Sequence, residues 1–106
     1  MNATPEEHLK IWQEILDAEI TSDSNPQVVY PILQKYQHQL NQEFAHRVKQ
    51  WFSSQLQPQN PSHNRELAGL LYNFAIDIYN FRFGSRANNL ELAIAAYEAA
   101  LEVFTR

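Results

Sequence analysis

Glu43-Phe44-Ala45-His46 places a carboxylate and an imidazole three residues apart. On a helix that spacing puts both side chains on one face, the arrangement that di-iron helical bundles use to hold metal. Such a centre needs a second Glu-x-x-His and two further glutamates from facing helices, and no second copy occurs in the sequence. His38 and His46 fall in different expected helices. His8 and His63 stand near helix starts and read as solvated or capping residues. No metal site is expected from this set.

Other chemistry is weaker still. The chain has no cysteine and therefore neither a thiolate nucleophile nor a disulfide. Asp77, Arg86 and Glu91 could converge, but no Ser-His-Asp arrangement or nucleophile elbow accompanies them. Gly84-Ser85-Arg86 could cradle an anion through backbone N–H groups. With one glycine it reads instead as a connection between paired helices, with Arg86 tied to a carboxylate or a carbonyl. Glu91, Glu98 and Glu102 form a thin acidic stripe that reads as a solvated face, or as a landing strip for a basic partner. Trp12, Trp51, Tyr72, Phe74, Tyr79, Phe81 and Phe83 could line a pocket, although aromatics at helical spacing read first as core. No cofactor is expected.

These residues must be positioned by a chain of 106 residues, 44% hydrophobic and 19% charged. That length supports one domain, and the composition excludes collagen, an extended disordered chain and a disulfide scaffold. The formal charge is −4, and the cations Lys10, Lys35, Lys49, Arg65 and Arg82 are scattered. A nucleic-acid partner, which needs a basic face, is not expected. Met1-Asn2-Ala3-Thr4-Pro5-Glu6-Glu7 has neither the basic start nor the apolar run of a signal peptide. No apolar run approaches the roughly 18 residues of a membrane span. A soluble, cytoplasmic protein is the expectation.

Apolar residues recur at three- and four-residue spacing nearly throughout, so the chain reads as all-α with about five helices. Thr4-Pro5, Asn25-Pro26 and Asn60-Pro61 are cap-then-proline starts. The first helix is expected from about Pro5 to Ile20, burying Leu9, Trp12, Ile15 and Leu16. The second runs from about Pro26 to Gln39 with Val28, Val29, Ile32, Leu33 and Tyr36 inward, kinked at Pro31 or beginning there. The third covers about Asn41 to Leu56 with Phe44, Val48, Trp51 and Phe52 as its stripe. The fourth, about Ser62 to Phe81, is apolar around most of its circumference, with Gly69, Asn73, Asp77 and Asn80 on a narrow polar strip. It should be central. The fifth, about Asn88 to Thr105, carries a bulky face of Leu90, Ile94, Tyr97, Leu101 and Phe104 beside Ala93, Ala96 and Ala100.

Residues 84–101, Gly-Ser-Arg-Ala-Asn-Asn-Leu-Glu-Leu-Ala-Ile-Ala-Ala-Tyr-Glu-Ala-Ala-Leu, resemble the second half of a tetratricopeptide repeat. Ala93, Tyr97 and Ala100-Leu101 stand where that family places a small residue, an aromatic and Ala-Leu. The Gly-x-Arg-Ala-x-Asn-Leu-Glu loop and the Glu-Val-Phe-Thr-Arg ending are similar to the long-loop repeats of cyanobacterial tetratricopeptide proteins, many of which carry a CHAT domain. The resemblance covers residues 84–106. The preceding helix departs from it, offering Phe74-Ala75 and Ile78 where the repeat has Leu-Gly and a tyrosine. That departure implies a degenerate, capping repeat. Residues 1–60 would be an irregular three-helix region and 61–106 a repeat-like helix pair, in one helical domain.

The resemblance implies a non-catalytic protein–protein interaction module, the N-terminal cap of a repeat array or a small adaptor that self-associates through its last helix. Leu92, Ala96, Tyr97, Ala99, Val103 and Phe104 are the expected contact residues, because the apolar arc of that helix is too wide for one neighbour. The competing reading is a small helical ligand carrier or enzyme using an aromatic-lined interior with Asp77 or His46. It would need converging polar groups on apolar faces, and only Asn73 and Asp77 qualify.

Overall fold

The structure, a computed structural model, describes residues 4–105. Met1 to Ala3, part of the N-terminal reading, and Arg106, the last residue of the Glu-Val-Phe-Thr-Arg ending, lie outside them. Five α-helices follow one another, α1 (Pro5–Thr21), α2 (Pro26–Lys35), α3 (Gln42–Gln55), α4 (Pro61–Asn80) and α5 (Arg86–Phe104), with a short 3-10 turn at Gln37–Gln39 between α2 and α3. No strand occurs among the described residues. None of these helices is long and apolar enough to cross a membrane.

Each helix begins on a side chain that accepts from a first-turn N–H. Thr4 Oγ1 accepts from Glu7 N at 3.1 Å, Asn25 Oδ1 from Gln27 N at 3.0 Å, and Asn60 Oδ1 from His63 N at 3.2 Å. Asn41 and Ser85 do the same for α3 and α5. These contacts satisfy donors that have no partner inside the helix. α2 passes through Pro31 without breaking, but ends at Lys35, four residues earlier than expected. The α1–α2 connection turns through Asp23 and Ser24 at φ 54° and 59°, a left-handed conformation that polar residues tolerate better than most.

α4 and α5 form the most extensive helix pair, joined by a short turn, and α3 lies along α5. α1 touches α2, α3 and α4, so α4 is contacted from several sides. One core runs through all five helices. Trp12 stands at its centre, its ring 4.9 Å from Phe74 of α4, 5.7 Å from Trp51 and 6.5 Å from Phe44 of α3, all edge-on. The radius of gyration, 12.9 Å, is that of a chain of about 100 residues folded as a single body.

The inward faces differ from expectation at particular residues. Leu9 and Val28 are exposed, whereas His8 and Glu19 of α1 are buried. α4 is turned so that Ile76 and Tyr79 face outward and Asp77 inward. Its polar strip is thus a seam against α1 and the α1–α2 turn, where Asn73 Nδ2 donates to Ser24 Oγ at 3.0 Å. On α5 the small residues Ala93, Ala96 and Ala100 are buried with Leu92, while Ile94, Tyr97, Leu101 and Phe104 are exposed. Close approach of helices favours alanine inside, and that leaves the bulky side chains out.

Candidate functional site

The apolar side chains left outside on α4 and α5 meet in a groove. Ala75, Ile76 and Tyr79 form one wall and Ala93, Ile94 and Tyr97 the other, around a volume of about 380 Å³ with Glu98 at its lip. Tyr79 and Ile94, 53% and 56% exposed, are its rim. The apolar surface continues along α5, where Tyr72 packs 5.2 Å from Tyr97 and 6.4 Å from the exposed Phe104. Arg86 closes one end: its guanidinium donates to the carbonyl of Tyr79 and lies 5.1 Å above the Tyr79 ring. The Gly84-Ser85-Arg86 turn is therefore a helix connection, as its single glycine suggested. Asn89 Nδ2 braces it by donating to the carbonyl of Phe83 at 2.8 Å.

The six expected contact residues do not share one surface. Leu92 and Ala96 are core residues, fully covered within the chain, and this corrects their assignment to a partner. The reason is α3, which lies on the face of α5 that sequence spacing left uncovered. Ala99 and Val103 are half-buried in the cleft between those helices, opposite Phe52 and Leu56. Tyr97 and Phe104 remain exposed and belong to the α4–α5 surface. Ile76, Tyr79, Ile94 and Leu101 complete it. Ile94 and Leu101 were legible as part of a bulky face, but Ile76 and Tyr79 depend on the turn of α4.

The candidate polar constellations disperse. Glu43 and His46 are both exposed, and Glu43 faces Arg47 at 3.9 Å. His63 Nε2 lies 3.0 Å from the Gln55 carbonyl, beside the Asn60 cap. Among the described residues no group of three or more histidines, cysteines or carboxylates comes together. Asp77, Arg86 and Glu91 do not meet, since Arg86 is held by Tyr79 and Glu91 accepts from Gln42 Nε2 across the α3–α5 contact.

Two buried polar features differ from the sequence reading, the Glu19–Asp77 pair and His8. Glu19 of α1 is 0% exposed and Asp77 of α4 4% exposed. Neither oxygen of Glu19, nor Oδ2 of Asp77, meets a donor elsewhere in the chain. Burial, then a hydrogen bond to Glu19, then the Glu19 charge push the Asp77 carboxyl up to about 8. Burying two adjacent charges is costly, so Asp77 holds its proton to a higher pH than an exposed carboxyl does. The second feature is His8, expected to be solvated yet 1% exposed, with its ring edge-on to Phe44 at 5.5 Å. One turn before Trp12 on the same face, it is carried inward with Ile11, Trp12 and Ile15. The only signal for Glu19 was its helical spacing from Trp12, Ile15 and Leu16, which place that face in the core.

Comparisons with protein-family models, with curated proteins and with solved structures find no match to this chain.

Proposed function

We propose that this chain is a non-catalytic, cytoplasmic protein–protein interaction module that receives an apolar helix face in the α4–α5 groove. The observation that carries this reading is the run of exposed large apolar side chains across two adjacent helices, Ile76, Tyr79, Ile94, Tyr97, Leu101 and Phe104. Contiguous apolar surface of that kind marks interaction sites in soluble proteins. Helix-in-groove recognition uses anchors at three- and four-residue spacing, and α5 offers Ile94, Tyr97, Leu101 and Phe104 at steps of three, four and three. The resemblance of residues 84–106 to a repeat helix supports the same reading, since repeat units bury such faces against a neighbouring helix. The occupant is then a second copy of the chain, or the next helix of a repeat-like array.

Sedimentation across a wide concentration range tests it. The unaltered chain is expected to show concentration-dependent self-association, or to capture a helical partner from cytosol. Ile94→Glu should abolish either while leaving the melting temperature within about 2 °C, since exposed substitutions usually change stability by no more than about 0.5 kcal/mol. A monodisperse monomer at high concentration that captures nothing would overturn the proposal, as would an Ile94→Glu chain that associates normally.

A further inference from the structure

Given the reading of the α4–α5 groove as an interface, on which this inference rests, we propose that its occupant is a second copy of the chain. The two α5 helices run antiparallel, related by a twofold axis that passes near Ile94. Opposite charges bound the apolar surface at its two ends. Tyr79 belongs both to the groove and to a polar hollow formed with Asn80, Arg82 and Arg86, so at that end the groove opens onto two exposed cations. On the other side of Ile94, Glu98 stands exposed at the lip. Among the described residues none of Arg82, Arg86 and Glu98 is ion-paired within the chain.

That pattern makes the face complementary to itself. Arg86 and Glu98 are separated by about 18 Å along α5, at about 1.5 Å per residue, and Ile94 is the exposed large apolar side chain nearest their midpoint. A face that packs on its own copy has the twofold axis in the plane of contact. With the axis along the helices the copies are parallel, and Arg82 and Arg86 face their own counterparts, as Glu98 does. With the axis across the helices they are antiparallel, and the cationic end of each copy faces Glu98 of the other. Ile94 then packs beside the axis against its own counterpart. Exposed ion pairs add little affinity, but like charges set face to face are strongly disfavoured. The charges therefore choose orientation and register, while the apolar side chains supply the attraction. The next helix of an array would meet this face in a head-to-tail contact, where a self-complementary charge pattern has no role.

Sedimentation velocity on the unaltered chain, Glu98→Arg and Arg82→Glu tests this, both changes lying at exposed positions. Arg86 is left in place because it holds the Tyr79 carbonyl. The unaltered chain should dimerise with a Kd on the order of 10 μM, as a small, transient interface does. Glu98→Arg should raise that Kd by about tenfold or more, and Arg82→Glu, which leaves Arg86, by about threefold. Mixed in equal amounts, the two variants should form a heterodimer about tenfold tighter than the Glu98→Arg homodimer, because each new charge then faces an opposite one. A monomeric unaltered chain, reversal variants that dimerise as tightly as the parent, or a mixture that gains nothing over its components overturns the proposal. Circular dichroism checks the fold of each variant, and either reversal decides without the other. Failure here is separable from failure of the groove itself. A monomer that captures a helical partner, and loses it in Ile94→Glu, overturns the second copy and leaves the groove standing. Self-association unchanged by Ile94→Glu overturns both.

Discussion

Between about pH 3.8 and about pH 8 the folded chain retains a proton on Asp77 that the unfolded chain releases. The sign follows from that difference. The folded pKa lies above the unfolded one, so the stability from this group is fully present below about pH 4 and is lost as pH rises through 8. The steepest slope for one proton is about 1.4 kcal/mol per pH unit. His8 acts in the opposite direction on the acid side, since its lowered pKa favours the unfolded state as pH falls below 6.5. The comparison between unaltered chain and Asp77→Asn isolates the acid pair from this. Urea midpoints at pH 5 and pH 8 should show the unaltered chain losing stability while the variant stays flatter and is the more stable of the two at pH 8. Parallel profiles would mean that Asp77 ionises as freely as an exposed carboxylate. Tyr30 titrates against the same group, its pKa raised by burial and then by the Asp77 charge, with Arg82 opposing.

At the scale of elements, the two glycines make opposite predictions. Gly84 turns the α4–α5 connection at φ 77°, and a Cβ there would meet the Gln37 side chain and carbonyl at 3.3 Å. Gly84→Ala should destabilise the fold by about 1–2 kcal/mol. Gly69 lies inside α4 with nothing within 4 Å of an added Cβ, so Gly69→Ala should stabilise by about 0.5–1 kcal/mol. Thermal melts of the two variants, run side by side, should move in opposite directions from the parent. Helix starts were legible because a cap is a local event: Thr4, Asn25 and Asn60 each satisfy an N–H within three residues. Helix existence and order were legible from periodicity. What periodicity could not give was the turn of each helix about its axis, which neighbours decide. A helix apolar almost all round, as α4 and α5 are, has no single preferred inward direction in its own sequence. Asp77 was therefore placed with the polar strip, Leu92 and Ala96 with an absent partner, and the groove residue Tyr79 with the core. His8 was misplaced, and Glu19 passed over, for another reason: charged and ionisable side chains are seldom fully buried, and these two are.

For the whole molecule, the question is whether the α4–α5 pair can stand without the first three helices. α4 buries Leu71, Phe74 and Ile78 in a core whose other members include Trp12 of α1 and Leu33 of α2, and α3 covers α5. A peptide of residues 61–106 should therefore lack a cooperative thermal transition and show reduced helicity by circular dichroism, because isolated helices gain most of their stability from packing. A sharp melt in that peptide would show two separable folding units. The arrangement of α5, alanines within and large apolar residues without, also has a genetic consequence. Positions 93, 96 and 100 should reject every side chain larger than serine in a library selected for folding, while 94, 97 and 101 accept nearly all. Selected instead for partner capture, the same library should show the reverse at 94, 97 and 101. Under the proposed function one helix thus answers to two demands, upkeep of the fold on one side and upkeep of the contact on the other.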